Sequence, residues 1–142
     1  MPDLSTPKDK NSEMLKESNE QPKGSLTIRT LAMPADTNPA GDIFGGWVMS
    51  QLDIAGAIAA IEKVKGRVAT VAVEAMTFIA PVKVGDILCV YCTIKHIGTT
   101  SISIGLEAWA RRNRLDDRVK VTEGTFIYVA LGDDGKKCRI EQ

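Results

Sequence analysis

The spacing of apolar residues changes along the chain and predicts one strand, one long helix and four further strands. Residues 26–33 alternate between apolar and polar side chains, as a half-buried strand does. The next segment, 34–42, is dense in turn-forming residues and predicts a loop. After the helix, runs rich in β-branched and aromatic residues predict four long strands, antiparallel and meander-like, at 67–82, 86–98, 100–112 and 119–131.

The segment 43–66 is predicted to be the helix. It is rich in apolar residues and alanine, is long enough for about five turns, and ends at Gly66, a helix-stopping residue. Asp42 precedes it and is expected to cap its first amides. Because the helix is apolar on nearly every side, we expect other structure to wrap it. The sequence therefore predicts an α+β fold in which a curved antiparallel sheet cradles one helix.

Composition limits the kind of protein this is. The chain has 142 residues, of which 44% are hydrophobic and 25% charged, which suits one globular domain. Residues 1–23 are polar and hold three prolines, so they predict a disordered tail before a single domain at 24–142. The formal net charge is zero, which argues against nucleic acid as a partner and favours self-association.

The residues between Asp42 and Glu62 invite comparison with a membrane span, because the nineteen of them hold only one charge, that of Asp53. A central aspartate would be costly in lipid, so a buried helix without membrane contact is expected.

The three cysteines, an odd number without a secretory signal, favour a reducing compartment and a cytoplasmic location. Cys89 and Cys92 should point to opposite faces of a strand, and no metal site is predicted.

Asp53 is the leading candidate for catalysis. Its neighbours in the sequence are apolar, and Lys63, Lys65 and Arg67 lie too far along the chain to serve as local partners. Isolation and burial are expected to raise its pKa, which suits a carboxylate for general-base work. The alternative is a structural aspartate held by a serine or by backbone amides. The residues alone leave both interpretations open.

Gly45 and Gly46 would place unpaired amides at the start of the helix, where they could bind a developing oxyanion. The alternative is that the two glycines only permit tight packing of the loop against the helix. Gly45 lies eight residues before Asp53, so the two are about 12 Å apart along one helix. One thioester cannot reach both. A site that uses both must therefore combine two subunits, side by side in a two-fold dimer.

The run LAMPADTNPAGDIFGGWVMSQLDIAGAIAA at 31–60, with GRVATVAVEAMTFIAPVKVGDILCVY at 66–91, resembles the bacterial acyl-CoA thioesterases of the YciA type, relatives of the eukaryotic acyl-CoA hydrolases. The resemblance extends over about 26–131. It implies a hotdog fold, in which the sheet wraps the central helix, and hydrolysis of acyl-CoA to free acid and CoA without a cofactor. It also implies homodimers that assemble into hexamers, as trimers of dimers, with active sites at the dimer interfaces.

The same resemblance implies roles for single residues. Asp53 matches the catalytic carboxylate, Asp42 lies at the site entrance, where related hydrolases have asparagine, and the pair Gly45–Gly46 supplies amides for the thioester oxygen. The remaining substrate-binding candidates each have an alternative. Asn38 is a turn residue with a chance of touching substrate, Phe44 is a core residue or lines the acyl tunnel, and Glu74 is a buried polar anchor or faces outward. Arg111 and Arg112, with Arg114 nearby, grip CoA phosphates or form a solvated face.

Two further questions stay open at this level. Asp53 could activate water or attack the thioester itself, giving an anhydride. The same fold could also serve as a non-catalytic acyl-CoA sensor, although the aspartate of the helix favours an enzyme. A hydratase is disfavoured, because the only histidine, His96, lies near a strand end rather than on the helix. Ser50 and Ser101 lack the base that a nucleophilic serine needs.

Overall fold

The computed structural model describes residues 20–112 and 117–141. Most of the predicted tail, and the arginine at position 114, lie outside these ranges. The described chain forms β1 (Ser25–Leu31), a short 3-10 turn (Pro34–Asp36), α1 (Gly45–Val64), β2 (Arg67–Phe78), β3 (Ile87–Ile97), β4 (Ser101–Arg111) and β5 (Arg118–Leu131). The predicted helix, the strands and the α+β class are confirmed.

The strands form one antiparallel sheet, but the predicted meander describes only part of it. The order in the sheet is β1-β3-β4-β5-β2, so only β3, β4 and β5 follow one another as neighbours. Helix α1, which spans about 30 Å, separates β1 from β2, and β2 pairs with β5 at the far edge. The chain then returns through residues 79–86 to place β3 beside β1.

Helix α1 packs against one face of the sheet. Val48, Leu52 and Ala55 are buried in the common core, which also holds inward-facing strand residues, among them Leu88, Val90, Ile104, Leu106, Phe126 and Tyr128. The sheet wraps the helix as predicted, but within a single chain it covers only part of the apolar surface of the helix. A second apolar face stays open, because the following residues, at helical spacing, are 36–49% exposed: Ile54, Ile58 and Ile61.

The ends of the helix also differ from the prediction. Asp42 does not cap it: Phe44 is the N-cap residue, and no side chain bonds to the first amides. Asp42 instead forms an ion pair with Lys83, which draws its carboxylate towards the loop before β3. At the other end the left-handed residue is Lys65, with φ 56° and ψ 45°, rather than Gly66. Its backbone N–H donates to the carbonyl of Ile61 and closes the last turn.

Replacing Lys65 with glycine should stabilise the domain. A left-handed residue with a Cβ is strained, so Lys65→Gly is expected to raise the free energy of unfolding by about 0.5–1 kcal/mol. The matched control is Lys63→Gly, inside the last helical turn, where glycine should lower it by about 1 kcal/mol. Urea unfolding of both variants measures the difference. Equal destabilisation by the two changes would contradict the assignment of the strain to Lys65.

Candidate active site

Asp53 lies partly buried on α1, and its side chain meets β2 and β5. Its Oδ1 accepts a hydrogen bond from the Thr70 hydroxyl at 2.6 Å and one from the Tyr128 hydroxyl at 3.1 Å. Within the described ranges its Oδ2 has no hydrogen-bond partner, and no basic side chain forms an ion pair with the carboxylate. The carboxylate is therefore held in place by two hydroxyl groups while one oxygen stays available.

Thr70 and Tyr128 are neighbours of Asp53 that the sequence alone did not predict. They are partners across the β2–β5 pair, which the expected meander would have separated. Burial, together with the adjacent Asp53 carboxylate, raises the pKa of Tyr128, so its hydroxyl stays protonated and donates. The sequence shows a threonine and a tyrosine within apolar strands. Only the pairing of β2 with β5 shows that both side chains reach Asp53.

The start of the helix offers open backbone donors. Gly45 and Gly46 are its first two residues, and no acceptor in the described part of the chain bonds to either amide. A Cβ on Gly46 would have no atom within 4 Å, and one on Gly45 would meet only the Phe78 ring, at 3.5 Å. The packing alternative therefore has little support at Gly46, where the backbone is open to an approaching molecule.

The loop before the helix is held by Asn38. Its Oδ1 accepts hydrogen bonds from the backbone N–H groups of Ala40 at 2.9 Å and Asp42 at 3.1 Å. The backbone N–H of Asn38 donates to the Asp42 carbonyl at 2.7 Å. The predicted turn role is confirmed. With Oδ1 engaged, the side-chain NH2 of Asn38 is left without a partner among the residues described, so it can donate to a ligand. Phe44 is 50% exposed, and the expectation of a core residue there is wrong.

The other candidates have different surroundings. Glu74 is exposed on β2, so the interpretation as a buried anchor is wrong. The guanidinium of Arg112 donates to Asp86 Oδ2 at 2.9 Å and to the Pro81 carbonyl, which ties the end of β4 to the loop before β3. Arg111 has a buried Nε without a partner in the part of the chain that is described. Its predicted contact with CoA phosphate remains a prediction.

Neither the cysteines nor the histidine adds a further site. Cys92 belongs to the core beneath the helix, whereas Cys89 is buried outside that cluster, and His96 is exposed. Within 20–112 and 117–141, no three residues of the types His, Cys, Asp or Glu form a group that could hold a metal ion. No helix of the same ranges is long and apolar enough to cross a membrane.

Comparison with known proteins identifies the family. The family model described as "Thioesterase superfamily" matches residues 40–116, a range that contains α1, Asp53 and Thr70. The acyl-CoA thioester hydrolase YciA of Salmonella typhimurium is 58% identical over 118 residues, which cover 81% of this chain and 89% of that protein. The chain belongs to the YciA-type acyl-CoA thioester hydrolases. The family and the enzyme class predicted from the sequence are confirmed.

Solved structures agree on the hotdog fold. A hexameric thioesterase from Yersinia pestis is 51% identical, with a TM-score of 0.83 over 86% of this chain and 99% of that one. A more distant acyl-CoA hydrolase of Staphylococcus aureus, an asparagine-to-alanine mutant in complex with coenzyme A, is 26% identical, with a TM-score of 0.75 over 80% of this chain and 68% of that one. This acyl-CoA thioester hydrolase is thus a hotdog protein: one central helix on a curved five-stranded antiparallel sheet.

Proposed function

We propose that this hydrolase cleaves acyl-CoA with a water molecule activated by Asp53, and that amides at the helix start of a partner subunit bind the thioester oxygen. The observation that carries the proposal is the setting of Asp53. Its carboxylate is fixed through Oδ1, keeps Oδ2 available, and has no ion-pair partner within the described ranges. A carboxylate in that state can accept a proton from water.

The steps follow from these groups. Asp53 takes a proton from water as the water oxygen attacks the carbonyl carbon of the thioester. The oxyanion that forms accepts hydrogen bonds from the amides of Gly45 and Gly46, at the positive end of the helix dipole. When the tetrahedral intermediate collapses, the carbon–sulfur bond breaks, and the proton held by Asp53 passes to the leaving CoA thiolate. The products are a free acid and CoA, and Asp53 regains its charge.

Asn38 is a further donor in this proposal. Its Oδ1 is occupied by the turn, so the side-chain NH2 can face the substrate carbonyl. In the Staphylococcus aureus hydrolase, structures exist of an asparagine-to-alanine mutant and of an aspartate-to-alanine mutant whose positions differ by fifteen. Asn38 and Asp53 are also fifteen residues apart. That equal spacing supports the assignment of both residues to one kind of site.

The site is proposed to form between two subunits. Gly45 and Asp53 are about 12 Å apart on one helix, too far for one thioester carbonyl. The open apolar face of α1, formed by Ile54, Ile58 and Ile61, lies beside Asp53. Strand β2 is an edge strand, and it exposes Val71 by 53% and Val73 by 41%. Exposed apolar edges favour pairing, so a second copy of the chain is the proposed cover.

The proposed assembly is a hexamer built as a trimer of such dimers. The Yersinia pestis relative is a hexameric thioesterase, and a hexameric member is also known from Campylobacter jejuni. Each two-fold dimer would contain two equivalent sites, because each subunit gives its helix start to one site and its Asp53 to the other. Within a site, Phe44 is proposed to line the acyl chain, and Asp42, Glu74, Arg111 and Arg112 are candidates for CoA contacts at the rim.

A second mechanism uses the same residues. Asp53 could attack the thioester carbon directly, releasing CoA and leaving a mixed anhydride that water then hydrolyses. Single-turnover hydrolysis in oxygen-18 water separates the two mechanisms. Attack by water places the label in the free acid alone, whereas hydrolysis of the anhydride at the aspartyl carbon places it in the Asp53 carboxylate. The bonds to Oδ1, which leave Oδ2 open, are compatible with either nucleophile.

Release of free thiol from a panel of acyl-CoA substrates tests the function. The purified chain is expected to turn over many equivalents of acyl-CoA without added metal, and to leave the corresponding acyl-carnitine oxygen esters largely intact, because they lack the CoA portion. A sensor on the same fold would bind acyl-CoA in equilibrium dialysis and release no more than one equivalent of thiol. That second result would contradict the proposed mechanism.

A further inference from the structure

The hydroxyl of Tyr128 contacts the Asp53 carboxylate, although Tyr128 lies on β5 and is far from Asp53 in the sequence. Its side chain is fully buried, with 0% of its surface exposed. Its hydroxyl donates to the Asp53 main-chain carbonyl at 2.9 Å and to Asp53 Oδ1 at 3.1 Å. One O–H group therefore holds both the backbone and the side chain of the same residue, which fixes the helix and the carboxylate relative to the sheet.

Gly56 leaves space on helix α1 for the Tyr128 hydroxyl. Gly56 follows Asp53 by three residues, so it lies on the same side of α1. A Cβ at position 56 would lie 2.2 Å from the Tyr128 hydroxyl oxygen and 2.9 Å from its Cζ, which no packed structure permits. Glycine is a poor residue for the middle of a helix. Its presence here is explained by the need for Tyr128 to approach the backbone of Asp53.

From these contacts we infer that Tyr128 is a positioning residue that orients Asp53 for catalysis, and that its hydroxyl occupies the space left by the missing side chain of Gly56. The inference rests on the proposed role of Asp53. Thr70 and Tyr128 lie opposite each other on β2 and β5 and both donate to Oδ1. Two donors on Oδ1 restrict the side-chain conformation, and Oδ2 is the oxygen left to accept a proton from water. Tyr128 itself is buried, so it is placed to act through Asp53 rather than on the substrate.

The variant Tyr128→Phe tests the inference, because it removes the hydroxyl and keeps the ring. We expect kcat to fall about fivefold to twentyfold, while KM changes less than about twofold, since a donor to the catalytic group is lost and the binding surface is kept. In an Asp53→Asn background the same change should alter the residual rate less than about twofold, because Tyr128 acts through the carboxylate. Tyr91→Phe removes the other tyrosine hydroxyl, on β3, and should leave kcat unchanged.

Gly56→Ala gives an independent perturbation of the same contact. Its Cβ should displace the Tyr128 hydroxyl and lower kcat, and its effect should overlap with that of Tyr128→Phe rather than multiply it. The inference is overturned if Tyr128→Phe keeps the native kcat while Asp53→Asn is inactive. It is also overturned if Tyr128→Phe costs the same factor in both backgrounds, which is the mark of a general structural effect. Full activity of Asp53→Asn would instead defeat the proposed function itself.

Discussion

Replacing Asp53 with asparagine should lower kcat for acyl-CoA hydrolysis by roughly 100-fold or more, which is the loss expected when a general base is removed. The amide is close in size to the carboxylate. Its oxygen can still accept from Thr70 and Tyr128, which both bond to Oδ1 in the native protein. Folding and assembly should therefore be unchanged, and the loss should appear in turnover. Initial rates with several acyl-CoA substrates, together with light scattering for the assembly, measure both properties.

A surface aspartate provides the matched control for this change. Asp133 lies in the turn after β5 and is exposed, so Asp133→Asn removes one carboxylate without touching the site and should retain the native kcat. If Asp53→Asn kept more than about a tenth of the native kcat, the loss would be too small for the removal of a general base, and Asp53 would not have that role. If the variant lost its assembly as well as its activity, the aspartate would be serving the interface rather than the reaction.

The parts of the candidate site that are local in sequence could be predicted, and the parts that depend on strand order could not. Asp53 and the pair Gly45–Gly46 lie on one helix, so their separation follows from helical rise alone. The hydroxyls of Thr70 and Tyr128 reach Asp53 only because β2 pairs with β5 at the edge of the sheet. A meander would have placed other strands between them. Spacing along the chain does not determine that order.

Burial along the helix shows a second limit of sequence patterns. An apolar helix indicates that something covers each face, but it does not say whether the cover belongs to the same chain. Here the sheet covers Val48, Leu52 and Ala55, and the face with Ile54 and Ile58 is open in the single chain. The prediction of a wrapped helix is therefore incomplete rather than misplaced, if the proposed second subunit supplies the missing cover.

The end of the helix illustrates how a competing contact defeats a local rule. Asp42 stands where a capping aspartate is common, yet its carboxylate pairs with Lys83 from the loop before β3. The amides of Gly45 and Gly46 are left without an internal acceptor in the described chain. A side chain that capped them would compete with a substrate for the same donors. The departure from the usual capping pattern thus agrees with the proposed use of these amides as an oxyanion site.

Mixing two inactive variants should restore activity if each site combines two subunits. The first variant is Asp53→Asn. The second is Gly46→Val, whose side chain has open space in the fold but would block the approach of a thioester to the helix start. In a mixed dimer, one site receives both changes and the other receives neither. Random assembly of equal amounts makes half of the dimers mixed, each with one intact site of two, so co-expressed subunits should recover about a quarter of the native rate.

A matched negative control uses two changes on the same side of the site. Thr70 bonds to Asp53 of its own chain, so a mixed dimer of Asp53→Asn and Thr70→Val has no site in which both residues are native, and no intact site should form. Each variant alone sets the background, and assembly state is checked by light scattering in every mixture. Recovery with Gly46→Val but not with Thr70→Val requires that the carboxylate and the helix start of one site come from different chains. The contrary result is a rate equal to the average of the separate variants in both mixtures. That result would place the carboxylate and the amides of each site on one chain. The substrate itself would then have to bridge the separation of about 12 Å along the helix.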